Sequence, residues 1–532
     1  MNTNNKTKLL ILAPAALMAG CQQTEKADDR PNIVFMMTDD HAFQAISSYG
    51  SNLIETPQID QLADEGIRFD QAFVTNSISS PSRAVCLTGM HSHLNGVRDN
   101  VAIFDSTKQT FPKLLQDAGY QTSVVGKWHL KSQPTGFDFW KVLPDQGDYY
   151  HPEFRTPQGM VKEEGYVTDV ITDEAIEWLE DRNEDQPFML MYQHKAPHRE
   201  WWPSQEDLKA FMDKKIKEPE TLFDNYSGRG TAAKEAEMRI KDHMGYSNDN
   251  KIHPEILHRL GIEEFMDWYE PVFNRKYQRL SEEERQKWDS VYGPVNRSFE
   301  ENTPVGDDLL KWRYQRYMQD YLSTILSVDR NIGRLMDYLE KNGLEENTLV
   351  IYTSDQGFFL GEHGWFDKRF MYKESFRTPL IARWPGYIKP GIVDSNLVQN
   401  LDYAETILDV AGVQIPENMQ GRSLVPLFNG INEQWRDALY YHYYEYPSIH
   451  MVKRHYGVRT DRYKLIHFYY DVDEWELYDI QRDPNEMQNL YDNPDYSEIK
   501  RVMHRKLDSI RKEYGDSDSL TQEILQQDLR EW

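Results

Sequence analysis

Four short apolar runs, Asn32–Met37, Tyr120–Val125, Phe188–Tyr192 and Leu349–Tyr352, alternate along this chain with amphipathic helical patterns. A strand covered on both faces needs apolar residues without polar alternation. Such strands interleaved with helices predict an α/β fold, a large mostly parallel sheet sandwiched by helices. Thr56-Pro57 supplies an N-cap and an N1 proline ahead of Ile59, Leu62 and Ala63, with Gly66 as the stop. Thr110-Phe111-Pro112 opens another helix, closed by Gly119, and Val170–Leu179 reads as a third. Tyr321, Ile325, Val328, Ile332, Leu335 and Leu339 recur at steps of four and three, a long amphipathic helix that ends at Gly343. Beyond about residue 430 the alternating aromatic segments Leu439–Tyr446, His455–Arg459 and Tyr463–Phe468 predict a smaller C-terminal antiparallel-sheet subdomain. A terminal helix follows from about Tyr496 to Tyr514.

The 532 residues hold enough apolar side chains to bury a substantial core, which excludes a disordered chain. With 60 Lys+Arg against 87 Asp+Glu the net charge is −27, the wrong sign for a protein that binds nucleic acid through its phosphates. Residues 1–21 read as a signal peptide: Lys6 and Lys8 precede an apolar run from Leu9 to Leu17 that closes Met18-Ala19-Gly20-Cys21. That run resembles a bacterial lipoprotein signal, with a lipid anchor on Cys21; ordinary signal-peptidase cleavage is the other reading. Either places the chain outside the cytoplasm, in the periplasm or on the outer membrane of a Gram-negative bacterium. Cys86 then has no partner and reads as a small buried residue. Residues 22–30 form a polar tether and 31–430 the main domain. Within it, 204–310 reads as a charged, largely helical insertion opened by the capping pattern Ser204-x-x-Asp207; residues 431–532 form the C-terminal subdomain.

The chemistry gathers where the predicted strands end. Ile33–Met37 runs into Thr38-Asp39-Asp40, Leu349–Tyr352 into Thr353-Ser354-Asp355-Gln356-Gly357, Tyr120–Val125 into Gly126-Lys127-Trp128-His129, and Phe188–Tyr192 into Gln193-His194-Lys195-Ala196-Pro197-His198. Ligands of open α/β sheets bind outside the carboxyl ends of the strands. Three Asp and the amide oxygen of Gln356 make an all-oxygen set that suits Ca²⁺, or less readily Mg²⁺, rather than zinc.

The segment Ser79-Ser80-Pro81-Ser82-Arg83-Ala84-Val85-Cys86-Leu87-Thr88-Gly89 matches (Cys or Ser)-x-Pro-Ser-Arg-x-x-x-Leu-Thr-Gly at every fixed position. With Thr38-Asp39-Asp40, Gly126-Lys127-Trp128-His129, Ala196-Pro197-His198 and Leu360-Gly361-Glu362-His363-Gly364, the chain resembles the type I sulfatases of the alkaline phosphatase superfamily. The resemblance implies that Ser79 is oxidised to Cα-formylglycine by an anaerobic maturase. It implies that Asp39, Asp40, Asp355 and Gln356 hold the metal, which also contacts residue 79. Gln356 stands where many relatives have Asn or His. By the same resemblance Arg83 and Lys127 stabilise the aldehyde hydrate, and Lys368 grips the sulfate. His198 protonates the departing sugar oxygen, and His129 takes the proton that lets the hemiacetal collapse. His194 and His363 lie beside these motifs without matching a catalytic position and read as structural.

For the substrate, the run His91–Asn100 and the segments Glu445-Tyr446-Pro447 and Arg454–Thr460 resemble the N-acetylglucosamine-6-sulfatase branch. Arg98, Asn100, Glu445, His450, Arg454 and His455 are thereby expected at a rim that reads sugar hydroxyls of a sulfated glycan. Trp201, Trp202, Trp365 and the Tyr440–Tyr446 run are open to two readings, stacking on a sugar ring or a place in the core or sheet, and for most of them the second is the better one. Two further readings stay open: a phosphonate or phosphodiester hydrolase of the same superfamily, and a glycan-binding lipoprotein without activity.

Overall fold

In the computed structural model, which describes residues 1–2, 30–431 and 435–531, four parallel strands form the centre of a large sheet. They are β1 (Asn32–Thr38), β2 (Gln121–Lys127), β3 (Phe188–Gln193) and β4 (Thr348–Ser354). Their spatial order is β4-β1-β3-β2, with β1 paired in parallel to both neighbours. The strand Phe139–Leu143 continues the parallel set beyond β2, and Leu380–Arg383 adds antiparallel to β4. Among the described residues the sheet has ten strands. The expected signal sequence, Cys21 and the tether up to residue 29 fall, apart from residues 1–2, outside the described residues.

The apolar runs have both faces covered. Ile33, Phe35, Met189, Met191 and Ile351 pack with Phe111, Leu115, Ile407 and Leu408 on one side. Val34, Met36, Leu190, Tyr192 and Val350 pack with Ile171, Leu179, Val328 and Ile332 on the other. The expected long helix spans Gly306–Lys341, 36 residues.

Register places all four strand ends at one level. Thr38 lies beside Ser354, Met37 beside Gln193, and Gly126 beside Gln193, so the polar tails of four elements converge. Two glycines allow the close approach. At Gly126 (φ +102°) a Cβ would meet the Gln193 carbonyl oxygen at 1.9 Å, and at Gly357 it would meet the Glu374 carbonyl oxygen at 2.1 Å.

Two expectations change. Ser204 and Asp207 open a series of turns rather than a helix: Ser204 Oγ donates to Asp207 Oδ2 at 2.6 Å, and Arg330 clamps the same carboxylate at 3.0 Å. Helices in this stretch start only at Thr231. Nor is the stretch merely a solvated charged face, because Trp288 and Phe273 stack beneath Trp202 in the main core.

The smaller sheet has four antiparallel strands, Leu439–Tyr443, His455–Arg459, Tyr463–Phe468 and Glu474–Asp479. Period-two alternation splits its faces. Tyr440, Val458, Leu465 and Leu477 pack with Met503, Leu507 and Ile510 of the helix Ser497–Glu513 and with Val85. Tyr441, Tyr443, Ile466 and Phe468 face Ile78 and Phe370. The sheet therefore buttresses the segment that carries Ser79.

Candidate active site

Ser79 is the first residue of helix α1 (Ser79–Thr88), whose ten residues are all buried. Ser79 Oγ donates to Asp39 Oδ1 at 3.2 Å. Around this hydroxyl three carboxylates meet three cationic side chains. Lys127 Nζ contacts Asp39, Lys368 Nζ lies 2.7 Å from both oxygens of Asp40, and Arg83 lies 3.1 Å from Asp355 Oδ2 and 3.6 Å from Asp39. Asp40 Oδ1 also accepts Gln356 Nε2 at 2.5 Å, and Asp355 Oδ1 accepts the Asp40 amide at 3.2 Å. Asp40 sits in the left-handed region, φ +64°, which turns its carboxyl back beneath the strand ends.

Burial and charge pull against each other here. Burial disfavours the charge on Asp39, but Lys127, His198, Arg83 and Lys368 together hold its carboxyl well below the usual carboxylate range. Burial pushes Asp40 up to about 7, against Lys368 and with Asp39, Asp355 and Asp367 adding repulsion. Burial, followed by the Lys127 charge, holds both His129 and His198 well below the ordinary histidine range. His198 presents Nε2 to Asp40 Oδ2 at 3.7 Å, while its Nδ1 is hydrogen-bonded to the Arg199 carbonyl oxygen.

The acidic set fits a hard cation. Asp39, Asp40, Asp355 and Gln356 are each fully buried, and Gln356 Oε1 has no hydrogen-bond partner among the described residues. Crowded buried carboxylates and an orphaned amide oxygen are what a divalent cation relieves. Asp39, Asp40 and His198 bring ligand-capable atoms within 4.8 Å of one another. Asp355 instead turns one oxygen to Arg83.

Sequence reading passed over two contributors. Gln146, in a loop with no motif, contacts Lys127 Nζ through Oε1 and lies 3.2 Å from His129 Nε2. Gln193, the last residue of β3, accepts from Arg83 at 3.2 Å, and its place at a strand end was the available signal. His194 is buried against Tyr192, and His363 is enclosed by Arg229 and Asp224. Trp201, Trp202 and Trp365 are core residues, and Cys86 is buried and unpaired.

The expected sugar rim changes most. Arg98 and Asn100 are half-buried, and the loop they occupy is tied to α1 by the Ser80 amide, which donates to Asn100 Oδ1 at 3.0 Å. Glu445, His450 and Arg454 are buried and paired, with Arg369 at 2.7 Å, Asp367 at 3.3 Å and Asp528 at 2.7 Å respectively. His455 is no rim residue. Its ring is fully buried against Tyr441 and Phe468, Nε2 accepts the Met371 amide at 3.1 Å, and Nδ1 is bonded to the Lys453 carbonyl oxygen at 2.8 Å. His455→Ala is accordingly expected to cost about 2–4 kcal/mol of stability by chemical denaturation. The KM of the residual folded enzyme should stay near that of the parent.

A buried serine at a helix N-terminus, ringed by carboxylates, lysines and histidines at the ends of parallel strands, is an arrangement suited to metal-assisted ester hydrolysis. Residues 31–413 match the sulfatase family and residues 361–513 match the family described as N-sulphoglucosamine sulphohydrolase, C-terminal. The chain belongs to the sulfatase family and is a sulfuric ester hydrolase, of a family that works through a bound metal and a formylglycine. It is 49% identical over 525 residues to N-acetylglucosamine-6-O-sulfatase of Bacteroides thetaiotaomicron, covering 97% of this chain and 93% of that one. It is 26% identical to human N-acetylglucosamine-6-sulfatase, covering 78% and 67%. A solved structure in complex with its substrate, D-glucosamine-2-N,6-O-disulfate, superimposes with a TM-score of 0.88 at 49% identity, over 92% of this chain and 99% of that one. The phosphonate monoester hydrolase of Agrobacterium radiobacter shares the fold, with a TM-score of 0.66 at 19% identity over 91% and 96%.

Proposed function

We propose that this protein removes the 6-O-sulfate from N-acetylglucosamine or glucosamine at an exposed non-reducing end of glycosaminoglycan or mucin-type glycans. The observation that carries this reading is the 49% identity, along nearly the whole chain, to an N-acetylglucosamine-6-O-sulfatase. The geometry is in keeping with it. Ser79 is 1% exposed, so the ester has to be presented on an arm, and a 6-O-sulfate hangs on an exocyclic carbon. Arg98 and Asn100, beside the N-terminus of α1, meet the ring.

Asp39, Asp40, Asp355 and Gln356 would hold the cation, with Ca²⁺ the best match to their oxygens. When bound, that cation supplies positive charge to the sulfate oxygens and to the nucleophile. Oxidised to formylglycine, Ser79 offers a hydrated aldehyde, one hydroxyl to attack and one to expel the product. The chain's own groups do the rest. Arg83 and Lys127 orient the side chain of residue 79 through Asp39 and Asp355. Lys368 binds a sulfate oxygen, so the three lysine and arginine charges, no longer merely balancing the three carboxylates, face the ester. Protonated at Nε2 in the substrate complex, where the charge of the sulfate favours the imidazolium, His198 gives that proton to the departing sugar oxygen, and His129, steadied by Gln146, accepts one from residue 79.

His198→Ala is expected to lower kcat by about 10²–10⁴-fold with little change in KM, since that proton matters only as the sugar oxygen leaves. Steady-state kinetics on a 6-sulfated glucosamine check this; a leaving group of low pKa, such as nitrophenol, should suffer much less. An anaerobic maturase as partner, a lipid on Cys21 and an exported location complete the proposal. The deciding experiment is sulfate release from positionally defined monosaccharides. Preference for a 2-O-sulfated uronic acid or a 4-O-sulfated galactosamine would overturn the sugar assignment and leave the sulfatase chemistry intact.

A further inference from the structure

Helix α2 (Gly306–Lys341) braces the large sheet, whereas the last described helix, α3 (Asp518–Glu531), lies beyond both family matches, which end at residues 413 and 513. The buried positions of α3 are Thr521, Ile524, Leu525 and Asp528, one face of a helix. A carboxylate on such a face is costly unless its charge is met. Asp528, 3% exposed, is met twice: by Arg98 at 2.6 Å and by Arg454 at 2.7 Å. Arg454 is fully enclosed, and its Nε is spent on the Tyr446 carbonyl oxygen at 3.0 Å. Arg98 keeps 19% of its side chain exposed. Its Nε and Nη2 both go to Asp528 Oδ1, and no partner is found for Nη1 among the described residues. Two guanidinium groups therefore share one carboxylate at hydrogen-bond distance, and Arg98, beside Asp99, is the one that solvent reaches. Arg98 is also coupled to the reacting end of the site, because its carbonyl accepts Asn76 Nδ2 at 3.3 Å and Asn100 holds the Ser80 amide.

We propose that Asp528 is a positioning residue for sugar recognition: it holds the Arg98 guanidinium with its Nη1 edge turned to the oxygen atoms of the sulfated sugar. The helix α3 thereby becomes part of the substrate wall, although it lies far from Ser79 in sequence. This rests on the sugar-sulfatase reading above. A free Arg98 side chain would have to be ordered at each binding event, and the carboxylate removes that cost in advance.

The test compares two substrates, 6-O-sulfo-N-acetylglucosamine and an aryl sulfate, which has no sugar oxygens. Asp528→Asn is expected to raise KM for the sugar about tenfold with kcat changed less than about threefold, and the loss on the aryl sulfate should be several-fold smaller. Arg98→Gln should give the same split, and the double variant should be no worse than either single one, as expected of residues acting as a unit. Asp528→Glu should recover part of the sugar KM. Equal losses on both substrates together with a lowered Tm would make Asp528 a structural residue and overturn the proposal, as would an Asp528→Asn enzyme indistinguishable from the parent. If the double variant loses activity additively, the coupling through Arg98 is refuted. If the parent enzyme hydrolyses the aryl sulfate but no 6-sulfated glucosamine, it is the sugar reading that falls. Asp528 is then tested in the same way on whichever sulfated sugar the enzyme accepts, and a uniform loss there refutes it too.

Discussion

Ser79→Ala is expected to fold normally and to lose at least about 10⁴-fold in kcat/KM, because no other group can replace both the attacking oxygen and the one that expels the product. Ser79 Oγ sits 3.2 Å from Asp39 and is 1% exposed, so the alanine variant keeps the surrounding side chains but offers no covalent oxygen in its place. The unoxidised serine should be almost as poor. Protein from a host with the maturase should show a loss of about 2 Da at the Ser79 peptide, the two hydrogens removed on oxidation. Recombinant protein without that change should be folded and nearly inert. Ser79→Cys made in a host that oxidises only cysteine should recover turnover. Fully active enzyme carrying an unmodified serine would refute the assigned nucleophile.

Asp355→Asn should remove cation binding and activity together. Asparagine keeps the volume and one acceptor, so the Asp40 amide retains its partner, but the charge that balances Arg83 and attracts a cation is gone. Because Asp39, Asp40 and Asp355 are crowded in a buried site, removing one charge lowers their mutual repulsion while lowering cation affinity, expected at about 100-fold or more. Calorimetric titration with Ca²⁺, alongside metal analysis of the purified protein, measures it. Thermal stability without added cation should hold or rise, which separates a ligand from a structural carboxylate. Asp355→Ala is the harsher form, since it also takes the hydrogen-bond acceptor from Arg83 Nε and Nη2. A parent enzyme that needs stoichiometric zinc would contradict the choice of a hard cation.

The sequence alone determined the strand-and-helix alternation and the polar residues at the strand ends, since both are patterns of neighbours along the chain. The Ser79–Gly89 motif is similarly local: Ser79, Arg83 and the helix that carries them occupy eleven consecutive residues, and helix α1 begins at Ser79 itself. Thr38-Asp39-Asp40 and Asp355-Gln356 could be assigned to one site because parallel strands in a sheet end on the same side, a rule that needs no coordinates. What only the tertiary structure decided are matters of parity and distance. Whether His455 faces the rim or the core depends on the pairing of its strand with Leu439–Tyr443 and Tyr463–Phe468, because a shift of one residue inverts every side chain. Ser204 and Asp207 carry a helix-capping pattern, yet Arg330 from a distant helix holds them in a turn. Arg98 and Asp528 are 430 residues apart, and no local pattern links a loop beside the nucleophile to the last helix. Short-range preferences are written in neighbouring residues, whereas the partner of a buried charge is set by how the finished layers pack.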